Sequence, residues 1–228
     1  MSGSSVVGLV VILVIAALAG LQLIARSLRR YRAGARADLL APVAARLGWT
    51  FEAEDDELLR SLAVLSAFEH GENRHARSVM TGRRDARTIR VFDHLCGLDA
   101  DAGAPRVVQA QTVVHVRAED VHLPRMQLTP ENLLDKLVEA LGGMDIDFDS
   151  HPAFSSAYRL RGSDEEDVRA RFGPKVLDFF EGHRGLVVEA FVHDLIVFRP
   201  GRLVAPDKVE QAIDEALTVL GLLAAQTP

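Results

Sequence analysis

Three carboxylates at alternate positions, Asp145, Asp147 and Asp149, are the clearest candidates for metal binding in this sequence. The calcium-binding loop of EF-hand proteins begins with oxygen ligands at alternate positions. That loop also needs a glycine at its sixth position and, at its twelfth, a glutamate that binds calcium through both oxygens. Ser150 and Ser156 stand at those two positions, so the sequence disfavours a calcium loop.

A transition-metal site is a second candidate on the same segment. Asp147, Asp149 and His151 offer oxygen and nitrogen ligands, and His193 with Asp194 could complete the set. No partner histidine follows at the i,i+4 spacing that places two ligands on one face of a helix. A metal-dependent enzyme built on these residues is therefore kept as an alternative function.

Packing alone also explains this segment. In that interpretation it is an extended connector whose acids face water while Ile146 and Phe148 pack, with Asp149 capping and Pro152 turning the chain. Short motifs often match by chance. We therefore expect packing here, and we assign no metal and no cofactor to the chain.

No other group of residues matches a catalytic motif. The eight histidines show no HExxH or comparable spacing. Ser163 does not stand in a GxSxG motif, and its position before a predicted helix is explained by capping. The single cysteine, Cys96, excludes an intramolecular disulfide and a cysteine-based zinc cage. The sequence predicts no catalytic residue and favours a protein that is not an enzyme.

The predicted hairpin Arg77–Arg90 is a candidate for binding anionic lipids or polymers. It contains five arginines and a single acid, Asp85. Arg83, Arg84 and Arg87 would offer positive charge near its turn. Nucleic acid is not expected as a partner, because the rest of the domain is acidic and no aromatic residues alternate with the arginines to stack on bases.

The composition is that of a globular chain with unevenly distributed charge. Of its 228 residues, 48% are apolar and 25% are charged, which excludes disorder, a collagen-like repeat and a disulfide scaffold. Five arginines precede the first acid, Asp38. Without those five, 21 basic residues (26 less 5) stand against 32 acidic ones, a charge of −11 rather than −6. The part of the chain after the arginines is therefore acidic.

The apolar segment Val6–Ala25 predicts a transmembrane anchor. Its 20 residues carry no charge, and as a helix they would span about 30 Å, the thickness of a hydrocarbon core. Ala17–Ala19 is similar to a signal-peptidase site, but a signal peptide carries positive charge before its apolar stretch. Here the arginines follow, in Arg26–Arg36, and positive charge keeps its end of a span in the cytoplasm. We predict a single-pass anchor in the inner (plasma) membrane, with the N-terminus outside and the C-terminal domain cytoplasmic.

The remainder is predicted to be one α+β domain. The expected boundaries are 1–25 for the anchor, 26–36 for a basic juxtamembrane linker, 37–223 for the domain and 224–228 for a tail. The predicted core includes twelve apolar residues of the domain: Leu58, Leu62, Phe68, Val91, Val114, Leu137, Phe172, Phe180, Val188, Ile196, Phe198 and Leu217.

A weak internal repeat predicts a duplication within this domain. Two pseudo-repeats, about 48–143 and 157–223, share the order strand, helix, hairpin, helix, and the first carries two extra strands. Their closing helices, Leu133–Leu141 and Val209–Leu220, follow similar Pro-Glu and Pro-Asp starts, and Thr129 is the predicted N-cap of the first. The expected fold is an antiparallel sheet with helices on one face, built from a duplicated β-α-β-β-(β-β)-α unit. That order is similar to the TATA-binding-protein-like fold.

The chain resembles an uncharacterised family of bacterial single-pass membrane proteins with a domain of unknown function. The resemblance rests on the apolar anchor and on six further elements: Arg46–Gly48, Phe51 with Asp55 and Asp56, Asp147–Phe154, Arg171–Gly173, Leu177–Phe180 and Phe198–Gly201. Its Asp-Ser-His-Pro element is the most distinctive. His94 stands where that family often has an aromatic residue. The resemblance implies a location in the membrane and no functional site.

These patterns together predict a membrane-tethered, non-enzymatic interaction or scaffold module. It would present an acidic domain to an unknown cytoplasmic protein partner or to its own copies. The two alternatives are the metal-dependent enzyme using Asp147, Asp149 and His151, and anionic lipid or polymer binding through Arg77–Arg90.

Overall fold

Alternating apolar residues form eight β-strands, and all of them pair antiparallel in a single sheet. The structure is a computed structural model that describes residues 34–68, 72–98, 107–131 and 145–225. Its strands are β1 (Thr50–Glu54), β2 (Glu72–Arg84), β3 (Arg87–Leu98), β4 (Val107–Arg117), β5 (Leu123–Pro130), β6 (Tyr158–Gly162), β7 (Val187–Val192) and β8 (Asp194–Phe198). Their order across the sheet is β1-β2-β3-β4-β8-β7-β5-β6.

Six α-helices accompany these strands in the described ranges. They are α1 (34–47), α2 (Asp56–Ser61), α3 (Pro152–Ser155), α4 (Glu165–Arg171), α5 (Pro174–Gly182) and α6 (Val209–Ala224). Aspartates cap two of them: the Asp55 carboxylate accepts from the amide of Leu58, and that of Asp164 from the amide of Asp167, both at 3.1 Å. These bonds satisfy amides that a helix start leaves without partners.

One face of the sheet carries the larger apolar core. Helices α4, α5 and α6 pack on it together with the end of α1, from Leu40 onward. On the sheet side this core includes Val91, Val114 and Val197, each no more than 3% exposed. Burying a side chain of this size contributes about 1.5–3 kcal/mol. The sheet and these helices therefore form one continuous core.

The opposite face is covered by α2 and by the 3₁₀ turn Ser66–Phe68, and we call it the α2 face. Its apolar residues include Phe92, Val113 and Ile196, all fully buried. Strand register separates the two faces, because in the β4–β8 pair Val113 lies opposite Phe198, whereas the next residue of β4 lies opposite Val197 and belongs to the larger core. Side chains of one strand alternate between faces.

Ring stacking fills the part of the core between α3, α4 and α5. The ring centre of Phe154 lies 5.7 Å from Phe148, 5.7 Å from Tyr158, 5.9 Å from Phe172 and 6.4 Å from Phe180. Tilted and edge-on pairs at these distances are favourable beyond the area they bury. The three short helices are thus joined by one aromatic cluster.

Gly82 in β2 makes room for the single tryptophan of the chain, Trp49. A Cβ atom at position 82 would lie 2.2 Å from both Cδ1 and Cγ of the indole, much closer than carbon atoms approach. The indole therefore packs directly on the backbone of β2, next to the start of β1.

The predicted fold class is wrong in the placement of its helices. The sheet was expected to carry helices on one face, but α2 covers one face and α4, α5 and α6 cover the other. Because its central strands are apolar on both sides, each face has to be covered.

The predicted duplication is also wrong. In 48–143 the opening strand β1 pairs with β2, the first strand of its own hairpin, whereas in 157–223 strand β5 separates β6 from β7. The helices that follow these opening strands, α2 and α4, lie on opposite faces. The acids at both helix starts are explained by the helix dipole, which favours negative charge at any N-terminus.

The closing helix of the first pseudo-repeat, Leu133–Leu141, lies outside the described residues. Thr129, its predicted N-cap, belongs to β5 and lies opposite Arg159 of β6. The predicted core is confirmed: every described residue of it is at most 8% exposed, except Leu217, which is partly buried against the core. Leu137 lies outside the described residues.

Within residues 34–68, 72–98, 107–131 and 145–225, no helix combines the length and the apolar composition needed to cross a membrane. The predicted fold class, which began with a transmembrane helix, is corrected to an eight-stranded antiparallel sheet with helices on both faces. The segment Val6–Ala25 lies outside the described residues.

Candidate functional site

The α2 face buries an unusual number of polar side chains. They come from alternate positions of β3, β4, β5 and β7 and are each at most 4% exposed: His94, Gln111, His115, Gln127 and Glu189. Most polar groups in such a place have a hydrogen-bond partner, because desolvation is otherwise uncompensated. These five residues are the first candidate for a functional site.

His115 and Asp194 form the centre of the most extended polar network. Nε2 of His115 lies 2.8 Å from Oδ1 of Asp194, and Arg117 donates from Nη1 to the other carboxylate oxygen at 2.9 Å. On the far side of the ring, Nη1 of Arg90 lies 3.4 Å from Nδ1 of His115. Arg117 also donates to the exposed carboxylate of Glu119 at 2.6 Å. The network joins β3, β4 and β8.

The arrangement favours a neutral His115 ring. Burial lowers the pKa of this imidazole, against the opposing effect of Asp194. A neutral ring that donates from Nε2 to the carboxylate can accept from the guanidinium of Arg90 at Nδ1. Both ring nitrogens are thus engaged and the side chain is fully buried, so His115 has no free nitrogen with which to act as a general base on a bound substrate.

The turn that presents Asp194 is held in a strained conformation. Val192 has φ = +58°, a region that β-branched residues rarely adopt. Two bonds from the β4–β5 connection hold the turn: the amide of Ala118 donates to the carbonyl of His193 at 2.9 Å, and Nδ1 of His193 lies 2.8 Å from the carbonyl of Val121. The strain is therefore compensated by the contacts that place Asp194.

Glu189 attaches the 3₁₀ turn to the sheet. Its carboxylate accepts from the amides of Ser66, at 2.6 Å, and Ala67, at 3.0 Å. Nε2 of Gln127 donates to the Ser66 hydroxyl at 2.8 Å. Burial raises the pKa of Glu189, and the two amide bonds oppose that rise. We call Glu189, Gln127, Ser66 and Ala67 the clasp.

His94 is buried without a hydrogen-bond partner for either ring nitrogen among the described residues. Its ring meets Phe68 edge-on, with ring centres 5.1 Å apart. Burial lowers its pKa to about 4, with a further lowering from Arg74. Cys96 is also buried, and burial raises the pKa of its thiol, so it is a poor nucleophile.

The two edges of the sheet differ in what covers them. At the β6 edge, the amide of Ile146 donates to the carbonyl of Leu160 at 2.8 Å, so the chain itself pairs with the edge. At the β1 edge, Glu52, Ala53 and Glu54 are exposed, and no further strand pairs with β1 in the described part of the chain. An uncovered edge strand offers free amides and carbonyls to another strand.

The β1 edge is strongly acidic. Five of the six residues from Glu52 to Glu57 are acids. Glu54 pairs with Arg77, and Asp56 accepts from the amide of Ala76 at 3.1 Å. Among described residues, Glu52 has no ion-pair partner. We call residues 50–57 the acidic edge.

The first set of predicted metal ligands lies on a connector that packs against the aromatic cluster. Ile146 is buried and Phe148 half-buried, whereas Asp147 and Asp149 are exposed. The guanidinium of Arg169 lies 5.0 Å from the ring centre of Phe148 and donates to the carbonyl of Asp147 at 2.7 Å.

The remaining predicted ligand of that set, His151, has local partners. Its Nδ1 lies 2.9 Å from the hydroxyl of Ser150, and its Nε2 lies 3.6 Å from the carboxylate of Asp178. His193 and Asp194 instead belong to the β7–β8 turn described above. In the parts of the chain that the structure describes, no group of three or more His, Cys, Asp or Glu side chains is placed to hold a metal ion.

The predicted arginine site lies on the β2–β3 hairpin, and two of its three residues are ion-paired. Arg84 pairs with Asp214 of α6, and Arg87 with Asp120 of the β4–β5 connection. Arg83 is exposed. Lipid or polymer binding through Arg83, Arg84 and Arg87 stays a prediction.

Sequence reasoning missed both the His115–Asp194 network and the clasp. The alternation of residues along β4 places His115 and Arg117 on its more polar side, which is typical of a strand with one face in water. The sequence does contain a signal for buried polar side chains: along β4, polar residues alternate with valines. The partners, however, are 79 residues apart.

No family model matches the chain, and no curated protein matches it. The fold is similar to the crystal structure of the mycobacterial trehalose monomycolate transport factor A, TtfA. The TM-score is 0.59 with 12% sequence identity, over 83% of this chain and 93% of that chain. At this identity the likeness shows the fold alone. The resemblance to a bacterial membrane-protein family therefore stays a prediction.

Proposed function

We propose that this chain is a non-enzymatic, membrane-associated factor whose acidic edge binds a basic segment of a protein partner by strand addition. The observation that carries the proposal is the difference between the two sheet edges. One is paired with the chain's own Ile146, and the other is uncovered in the described part of the chain and carries five acids.

The likeness of fold supports the class of function. The similar solved structure is named as a transport factor for trehalose monomycolate, and it is covered over 93% of its length. A factor that assists transport can act through binding surfaces alone. We propose the same class of role for this chain, without assigning it that molecule.

Association with a membrane is supported by the N-terminal sequence. Val6–Ala25 is uncharged and apolar, and five arginines follow it before any acid. We propose that this segment attaches the chain to the membrane with the folded domain on the cytoplasmic side. C-terminal fusions to a reporter active only in the periplasm and to one active only in the cytoplasm test this proposal. Activity of the periplasmic reporter would contradict it.

The chemistry of the edge determines the kind of partner. In strand addition, backbone hydrogen bonds give affinity and the alternating side chains give specificity. A basic strand would place Lys or Arg near Glu52 and Glu54. A second copy is disfavoured, because antiparallel pairing of two β1 strands sets glutamates near glutamates, and like charges opposite each other are destabilising.

A photo-crosslinker at Ala53 tests the surface directly. This residue is exposed in the edge strand next to Glu52, and Ala170 on α4 is an exposed control position. The full chain carrying p-benzoylphenylalanine is irradiated in cells, and adducts are identified by mass spectrometry. We expect an adduct with one protein from position 53 and none with that protein from position 170.

Charge reversal tests the electrostatic part. Glu52→Lys should remove the adduct, whereas Glu166→Lys, the same charge change on α4, should leave it. An adduct of the chain with itself would replace the proposed partner by self-association. Labelling of lipid alone, lost with Arg83→Gln, would favour the arginine hairpin instead.

A further inference from the structure

A small groove lies between the sheet and the start of α6, on the face opposite the α2 face. Its volume is about 160 Å³. Val114 and Val197 line it from the sheet, Leu186 from the segment before β7, Val204 from the loop after β8, and Ala212 from α6. These side chains make its floor and walls largely aliphatic.

The loop that forms the outer wall, residues 199–205, is fixed by bonds from β4. The amide of Thr112 donates to the carbonyl of Arg202 at 2.9 Å, and the amide of Val204 donates to the hydroxyl of Thr112 at 2.9 Å. The amide of Gly201 donates to the side-chain carbonyl of Gln111 at 3.3 Å. Thr112 and Gln111 are each at most 4% exposed. The groove is therefore preformed, which lowers the entropic cost of filling it.

The rim of the groove carries net positive charge. Arg199 forms two parallel bonds with Glu215, at 2.7 and 2.8 Å, and this pair is neutral. Arg202 and Lys208 also line the groove and are exposed. Within the described residues, neither of these two side chains has an ion-pair partner. Glu210, the nearest carboxylate in sequence on α6, pairs with Arg46 at 2.9 Å.

We propose that this groove binds a short aliphatic carboxylate. The volume corresponds to about five water molecules at roughly 30 Å³ each, which suits a chain of about four to six carbon atoms. The aliphatic part would lie on Val114, Val197 and Ala212, and the carboxylate would lie between Arg202 and Lys208. The site is separate from the acidic edge, so this inference does not depend on the partner proposed there.

The test uses 4-methylpentanoate with the full chain in lipid nanodiscs. Saturation-transfer NMR reports contact, and calorimetry against empty nanodiscs measures affinity. We expect a dissociation constant on the order of 1 mM, as is usual for so few atoms. The uncharged 4-methylpentan-1-ol and the shorter acetate should each bind at least ten times more weakly, because each lacks one of the two interactions.

Three variants separate the two interactions. Ala212→Leu fills the groove with an aliphatic group and should abolish binding. Arg202→Gln combined with Lys208→Gln should weaken binding of the acid at least tenfold without changing that of the alcohol. Lys175→Gln removes an exposed charge from α5, away from the groove, and should have no effect.

Equal binding of the acid and the alcohol would overturn the proposal, because the cations would then play no part. Unchanged binding in Ala212→Leu would place the acid elsewhere and would overturn it as well. Absence of binding by the unmodified chain at 10 mM 4-methylpentanoate would contradict the proposal directly. Circular dichroism of each variant checks that a loss of binding is not a loss of folding.

Discussion

Asp194 lies 2.8 Å from His115 and 2.9 Å from Arg117, so one carboxylate holds two side chains of β4 to the turn that starts β8. Among the described strands, the β4–β8 pair is the only one that joins β1–β4 to β5–β8. The network therefore lies where the two halves of the sheet meet.

Loss of this carboxylate should be costly. Asp194→Ala leaves His115 buried without its acceptor, and we expect a loss of about 2–3 kcal/mol in the free energy of unfolding. Glu119→Ala removes only the exposed partner of Arg117 and should cost less than about 1 kcal/mol. Chemical denaturation of the full chain, followed by circular dichroism, compares the two. Similar losses in the two variants would show that the buried bond contributes no more to stability than the exposed one.

His94 should make stability depend on pH. Its pKa is about 4 in the folded chain, against about 6.5 when unfolded, so between these values the unfolded chain binds more protons. Stability attributable to this residue is full above pH 6.5 and decreases by about 3 kcal/mol as the pH falls to 4.

The matched variant for this prediction is His94→Leu, which cannot titrate and has a similar volume. Its stability should decline less between pH 6.5 and 4 than that of the unmodified chain. Burial also lowers the pKa of His115, and this effect is common to both proteins, so their difference isolates His94. Parallel pH profiles would refute the assignment.

We predict that the clasp protects the amides of Ser66 and Ala67 from hydrogen exchange locally, independently of global unfolding. In Glu189→Ala, the amides of Ser66 and Ala67 lose their acceptor and should exchange with deuterium faster than before. Amides of the central strand β4 exchange through global unfolding, so their exchange should change only as much as the free energy of unfolding changes. Glu181→Ala is a suitable control, because that carboxylate accepts a single amide bond at 3.2 Å, from Phe154. Unchanged exchange at Ser66 would mean that the carboxylate does not hold the turn.

Position 82 should accept only glycine. Gly82→Ala forces the indole of Trp49 to move, since the new methyl group would lie 2.2 Å from it, and we expect a cost of about 1–3 kcal/mol. A shift in tryptophan emission should accompany the loss. Gly182→Ala places a methyl group where no atom lies within 4 Å and should be neutral or slightly stabilising. A neutral Gly82→Ala would show that the indole has space elsewhere.

Local patterns predicted the elements of this fold well. The alternation of Val114 and Val116 with polar residues is typical of a strand, as β4 is, and proline with an acid predicted the start of α6. The start of α4 was less well predicted: Ser163 was expected to cap it, but Asp164 is the residue that accepts the amide bond. Capping depends on the φ and ψ angles of the residue before the helix, which the spacing of residues leaves undetermined.

The order of the strands was beyond sequence patterns. Nothing local indicates that β8 inserts beside β4 or that β5 separates β6 from β7, because these pairings depend on contacts between distant residues. The candidate site likewise depends on contacts between residues that are distant in sequence. His115 and Asp194 could each be noticed in the sequence, but their contact follows only from the β4–β8 register.

The late position of β8 also matters while the ribosome is still making the chain. Asp194 follows its partner Arg117 by 77 residues, so at about 5–20 residues per second the edge of β4 waits roughly 4–15 s for β8. During that interval β4 is an open edge rich in valine, the kind of surface that seeds aggregation. Nascent chains stalled before β8 should therefore depend on chaperones, and release from that dependence should coincide with the emergence of residues 194–198.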